Sequence, residues 1–220
     1  MKPEIQHILD TIKQEYSHLD TLLVFGSALT SDWTPKSDIN IFLIDDSLHD
    51  SRSEETIKDI AVELQKDNFK NLTKDIEAER GNLLHRNVST MIAHSQTFST
   101  KSPDKLNVLI NLAKDVLSSD PNYTEEDIKM WRYSIADYLS KAEKDVARND
   151  ALAFYLDANY VLQNALELSL ATHHTYLPQP KHLAKLLQDK DPELSKIWQT
   201  YLSAPDLESK LQALSQLSVR

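Results

Sequence analysis

Apolar residues recur along this chain with two different periods, and the change from one to the other divides it. From Glu4 to His18, the positions Ile5, Ile8, Leu9, Ile12 and Tyr16 fall at helical spacing and predict an amphipathic helix. Two short runs follow, Thr21 to Phe25 and Asp38 to Ile44, with the length and the β-branched and aromatic content of buried strands. Side chains alternate along a strand, so Asp38, Asn40 and Phe42 share one face of the second run and Ile39, Ile41 and Leu43 the other. Beyond a polar stretch, Ser53 or Thr56 opens a predicted helix whose buried face is Ile57, Ile60, Ala61 and Leu64. The charged segment from Lys66 to Arg80, with Phe69, Leu72 and Ile76 as its sparse apolar positions, predicts an exposed helix ending before Gly81. Alternation in Asn87 to Ala93 predicts a third strand, and Ser95 to Asp120 reads as helix-rich with a short last strand over Ala113 to Leu117.

Ser118-Ser119-Asp120-Pro121-Asn122 clusters turn formers and a proline, and it marks the expected division into residues 1–120 and 121–220. Everything after it has the helical period. Thr124 is an N-cap with acids in the first turn, followed by Ile128, Trp131, Ile135, Leu139, Ala142 and Val146. The next helix, Ala151 to His174, is apolar on most sides but carries Asp157, Tyr160, Asn164 and Glu167 on one face. Polar groups are costly to bury unpaired, so this stripe either faces solvent or lines a wet cleft, and in the second case Asp157 or Glu167 is a candidate general base. Short helices over Leu183 to Leu187, Pro192 to Leu202 and Asp206 to Leu217 complete the series.

Glycine usage draws the eye back to the end of the first strand. The chain has 2 Gly in 220 residues, where average usage would give roughly 15. One of them, Gly26, directly follows the buried run, where it supplies a positive φ or a close backbone approach; Ser27 adds a hydroxyl beside exposed N–H groups. Asp38 and Asn40 then stand side by side on the next strand, with Cα atoms roughly 6 to 7 Å apart, close enough for both to reach one ion or ligand group.

Gly-Ser after an apolar strand, then Ser-Asp-Ile-Asn opening another with its Asp eleven residues past Ser27, resembles the signature of the nucleotidyltransferase superfamily typified by DNA polymerase β. The resemblance implies that Gly26 and Ser27, with Ser37, hold a nucleoside triphosphate and that Asp38 ligates catalytic Mg²⁺. Asn40 stands where that pattern has a second metal carboxylate, and an amide neither neutralises nor bridges two hard cations. The third carboxylate of the pattern is expected on a further strand; Asn87 to Ala93 has none, which leaves Asp32, Asp45, Asp46 or a histidine as substitutes.

The helical second half resembles the C-terminal domain of small-molecule nucleotidyltransferases of the aminoglycoside-resistance kind, which implies that Lys181 faces the nucleotide phosphates. The fold expected is therefore α+β: a small mixed-sheet nucleotidyltransferase domain followed by an all-α bundle. Two functions follow, transfer of a nucleoside monophosphate to a small-molecule hydroxyl or a decayed nucleotide-binding or partner-binding module. Mg²⁺ is the expected cofactor, and a homodimer sharing its cleft is consistent with the resemblance. The formal net charge of −10 argues against a nucleic-acid surface and suits a positively charged small substrate. There is no cysteine, which excludes disulfides and thiolate chemistry. No run approaches a membrane span, so a cytoplasmic protein is expected.

Overall fold

A computed structural model describes residues 2–31, 33–34, 36–81 and 85–219. The chain separates into two compact units, residues 1–80 with 86–119, and residues 81–85 with 120–220. The first is built on a five-stranded mixed sheet and the second is helical, an α+β architecture.

In the first unit, α1 (Pro3–Glu15) leads into β1 (Thr21–Phe25), a 3₁₀ turn over Gly26–Leu29 and β2 (Ile39–Ile44). Then come β3 (Ser51–Ile57), β4 (Ile60–Asp67), α2 (Phe69–Glu79), α3 (Asn87–Ala93), β5 (Gln96–Thr100) and α4 (Pro103–Ser118). The sheet order is β3-β4-β2-β1-β5. Strand β2 runs antiparallel to β1 and parallel to β4, while β3 and β5 form the edges and pair antiparallel with β4 and β1. Alternation splits the apolar residues between two layers. Leu22, Val24, Ile39, Ile41, Leu43, Val62 and Leu64 pack against Ile5, Ile8, Leu9 and Ile12 of α1. Leu23, Phe25, Phe42 and Ile44 meet α2, α3 and α4 on the other face.

Three expected elements take another form. The helix foreseen from Ser53 is the β3–β4 hairpin, closed by Lys58 and Asp59, both at positive φ (53° and 64°), as a two-residue turn of the primed type requires. The strand foreseen over Asn87 to Ala93 is α3. Its helical form is fixed by Glu79 at the end of α2, whose carboxylate accepts the N–H groups of Val88 and Ser89, both at 2.8 Å, and so satisfies donors that open the helix. The strand foreseen over Ala113 to Leu117 is the last turn of α4, which buries Ala113 and Val116 at i, i+3 spacing. The fifth strand is the polar segment Gln96–Thr100 instead.

The second unit holds α5 (Glu125–Ala147), α6 (Ala151–Thr172), α7 (Pro180–Lys190), α8 (Pro192–Ser203), α9 (Leu207–Ser215) and a closing 3₁₀ turn. Thr124 and Asp127 form a reciprocal capping box on α5. Asn149, at φ 55°, turns the chain from α5 into α6, which Asp150 caps. The core gathers Trp131, Ile135 and Leu139 of α5, Phe154, Val161 and Leu162 of α6, and Leu194 and Ile197 of α8.

Candidate functional site

Gly26 is required twice over. Its φ is +79°, and a Cβ there would stand 3.3 Å from Nδ2 of Asn40. The strand pairing explains the closeness, since Phe25 lies opposite Asn40 in the β1–β2 ladder. Ser27 begins the turn that follows, and its carbonyl takes the N–H and the hydroxyl of Thr30 at 2.9 and 3.1 Å. On the way back to β2, Ser37 closes a tight turn by donating its N–H to Thr34 at 2.8 Å and accepting the Thr34 N–H on its hydroxyl at 3.1 Å. Asp38 follows, exposed, at the mouth of β2. Ser27, Lys36, Ser37 and Asp38 line one open cleft of about 420 Å³ with Glu54 and Glu63.

Glu63 is the residue that sequence reasoning passed over. The strand beside β2 is β4, and the parallel register sets Glu63 level with Asn40. It is 9% exposed and flanked by the fully buried Val62 and Leu64, a carboxylate between two core residues. Such an interruption of an alternating apolar run was the signal available, obscured because Ile57, Ile60, Ala61 and Leu64 also fit a helix. Glu63 thus places a carboxylate on the strand beside Asn40, whereas residues 87–93 form a helix without an acid.

Its carboxylate is already engaged. One oxygen accepts from Arg52 Nη2 at 2.5 Å and the other from Gln65 Nε2 at 2.8 Å. Glu54 stands directly opposite Glu63 in the β3–β4 ladder, a like-charge pairing that Arg52, two residues earlier on the same face, offsets. The substitutes foreseen from sequence do not converge here. Asp45 and Asp46 follow the far end of β2, about 20 Å of strand from Asp38. Asp45 accepts from Ser47 and from the Asp20 N–H, and the Ser47 bonds hold it below the usual carboxylate range. Asp46 pairs with Lys105 at 2.9 Å. His94 meets the Thr90 carbonyl, and Asp32 lies outside the described residues.

These donors do not fit a two-metal Mg²⁺ centre. Asp38 offers one carboxylate, Asn40 a neutral amide packed on Gly26, and Glu63 a carboxylate tied to Arg52 and Gln65. Among the described residues no three His, Cys, Asp or Glu side chains gather as a metal site. Two divalent cations about 3.5 to 4 Å apart need bridging anions.

Asp157, Glu167 and Lys181 belong to the second unit. Asp157 faces Asp145 of α5; burial, then the hydrogen bond to that buried carboxyl, pushes its pKa up. Tyr160 stacks on Tyr138 with ring centroids 4.7 Å apart, so the polar stripe of α6 runs along the edge of its contact with α5. Glu167 accepts from Gln163 at 3.3 Å and borders a cavity of about 280 Å³. Lys181 is exposed in the first turn of α7, after Pro180.

The α+β fold of this chain is shared with a solved protein described as nucleotidyltransferase-like. The chain is similar to the crystal structure of a nucleotidyltransferase-like protein from Exiguobacterium sibiricum 255-15, with a TM-score of 0.50 and 15% sequence identity over 98% of this chain and 74% of that one. No protein-family model matches the sequence, and no curated protein does. No helix among the described residues is long and apolar enough to cross a membrane.

Proposed function

We propose that the first unit is a nucleotide-binding module in which the catalytic metal centre of a nucleotidyltransferase has been dismantled, so that it holds a nucleoside triphosphate without turning it over efficiently. The observation that carries this reading is the Asn40–Glu63 pair. Asn40, two residues from Asp38 on the same strand face, is a neutral amide, and Glu63, level with Asn40, is a carboxylate paired with a guanidinium. What survives is a cleft in which Ser27, Ser37 and Lys36 offer donors to phosphate oxygens beside the carboxylates of Asp38, Glu54 and Glu63.

Transfer of a nucleoside monophosphate to a small-molecule hydroxyl is the second reading, favoured by the exposed Asp38 carboxylate within that cleft.

Calorimetric titration of the full chain with ATP, GTP, CTP and UTP, each with and without MgCl₂, tests the first reading. A parallel assay of pyrophosphate release over a panel of hydroxylated acceptors separates it from the second. Binding without release is the expected result. Release that keeps pace with an ordinary transferase would replace the first reading with the second, and no binding of any of the four would remove both.

A further inference from the structure

The helical unit contains a second cavity, of about 280 Å³, whose lining is mostly apolar and aromatic with one acid. Trp131 of α5 and Tyr123, just before that helix, form an aromatic pair with centroids 5.7 Å apart and planes at 75°. Leu166 and Leu170 of α6 and Leu177 of the following loop complete the apolar walls. Tyr123 fixes that loop by donating its hydroxyl to the Thr175 carbonyl at 2.8 Å, and His85 meets the Leu177 carbonyl at 3.2 Å. The half-buried carboxylate of Glu167 stands at the same cavity.

We propose that this cavity is a binding site for a small organic cation, an amine or quaternary ammonium on a short apolar body. Three features select that chemistry. Aromatic rings attract a cation through their quadrupole, by about 0.5 to 2 kcal/mol. A carboxylate beside them supplies the counter-charge, which a neutral or anionic ligand would leave unpaired at the cost of burying it. The volume is at the lower end of ordinary small-molecule pockets, which admits a fragment with one amine and excludes an oligosaccharide. The chain's net charge of −10 adds a field that draws cations.

Glu167 is available for this role. Its carboxylate takes the Gln163 amide at 3.3 Å, a long bond that a ligand ammonium would outcompete. Another cavity of this unit differs on that point. Its acid, Asp191, accepts from Ser169 at 2.6 Å and from the Leu194 N–H at 3.0 Å, where it caps α8. All residues of the proposed site lie in the second unit, so the proposal stands independently of nucleotide binding in the first.

The test is a titration of the full chain with 2-phenylethylammonium chloride and with its neutral isostere 2-phenylethanol, followed by calorimetry and by the Trp131 indole N–H signal in NMR. The ammonium is expected to bind at least tenfold more tightly than the alcohol and to shift the Trp131 signal. Glu167→Gln, a half-buried position where the fold should be kept, is expected to erase that preference while the melting temperature stays near that of the parent. Equal affinity for the two probes, no binding of the ammonium, a shift that bypasses Trp131, or a preference that survives Glu167→Gln would each overturn the proposal.

Discussion

Asn40 and Glu63 lie level with each other on the parallel strands β2 and β4, an amide beside a carboxylate that Arg52 already holds. Replacing the amide by Asp should recreate a cluster of acids at the mouth of β2. Without metal, Asn40→Asp should cost on the order of 1 kcal/mol from like-charge repulsion across the ladder. With MgCl₂ the loss should reverse and the melting temperature rise with metal concentration. Thermal melts of parent and variant over a magnesium series check this, and an equal response from both would contradict the assignment of Asn40.

Gly26→Ala combines a strained backbone with a crowded neighbour. An L side chain at φ +79° costs about 1–2 kcal/mol, and its Cβ would press on Asn40. Urea unfolding should show a lower midpoint, and nucleotide titration a weaker affinity. Adding Asn40→Ala removes the crowding but not the strain, so the double variant should recover only part of the stability.

That Ser27, Ser37 and Asp38 come together in one cleft was legible in the sequence. Gly26, Ser27 and Asp38 stood out because a glycine-poor chain kept one directly after a buried strand, before an acid opening the next. The long helices α5 and α6 were readable because their apolar positions repeat over many turns. The β3–β4 hairpin was not, since a Lys58–Asp59 turn lacks the Asn-Gly or Asp-Gly that announces such a bend. With the hairpin went Glu63. Segment 87–93 misled for a different reason: Val88, Thr90 and Ile92 alternate like a strand, but the carboxylate of Glu79, remote in the pattern, supplies the cap that makes a helix.

The same turn offers a direct stability test. Lys58 and Asp59 both occupy the left-handed region, which is unfavourable for ordinary side chains. Asp59→Gly should therefore raise stability by about 1 kcal/mol, measured by urea unfolding. A loss of stability would mean that the Asp59 side chain contributes more to the turn than its backbone costs.

Arg86, 1% exposed, donates its guanidinium to the carbonyls of Val116 and Ser119 and to the Ser119 hydroxyl, where it closes the C-terminal end of α4. Arg86→Met should cost about 2 kcal/mol by leaving the Ser119 carbonyl without its donor, while the Val116 carbonyl keeps the Ser119 hydroxyl and N–H. Arg86→Lys should recover little, because an ammonium cannot reproduce the fork. Denaturant midpoints of the two variants decide it.

Asp157, whose pKa burial and the Asp145 hydrogen bond raise, should contribute stability to the helical unit in mild acid, against the opposite contributions of Asp127 and Asp206, whose pKa values are lowered by hydrogen bonds from Thr124 and Ser209. A proton held more tightly in the folded state stabilises fully below the unfolded pKa, and that contribution is lost as pH rises through the folded one. Lys141 opposes the shift and Asp137 adds to it. Asp157→Asn should flatten this pH dependence and raise the neutral-pH melting temperature, read from melts between pH 4 and pH 8.

The sheet ends in two exposed strands, and each is unsuited to accepting another chain. β3 presents Arg52, Glu54 and Glu55, charges that a neighbouring strand would have to desolvate. β5 is polar along Gln96, Thr97, Ser99 and Thr100, and its register with β1 slips between Leu22 and Leu23, which bends it out of a flat template. The molecule should therefore stay free of sheet-to-sheet fibrillation at high protein concentration, a colloidal property written into the borders of the sheet.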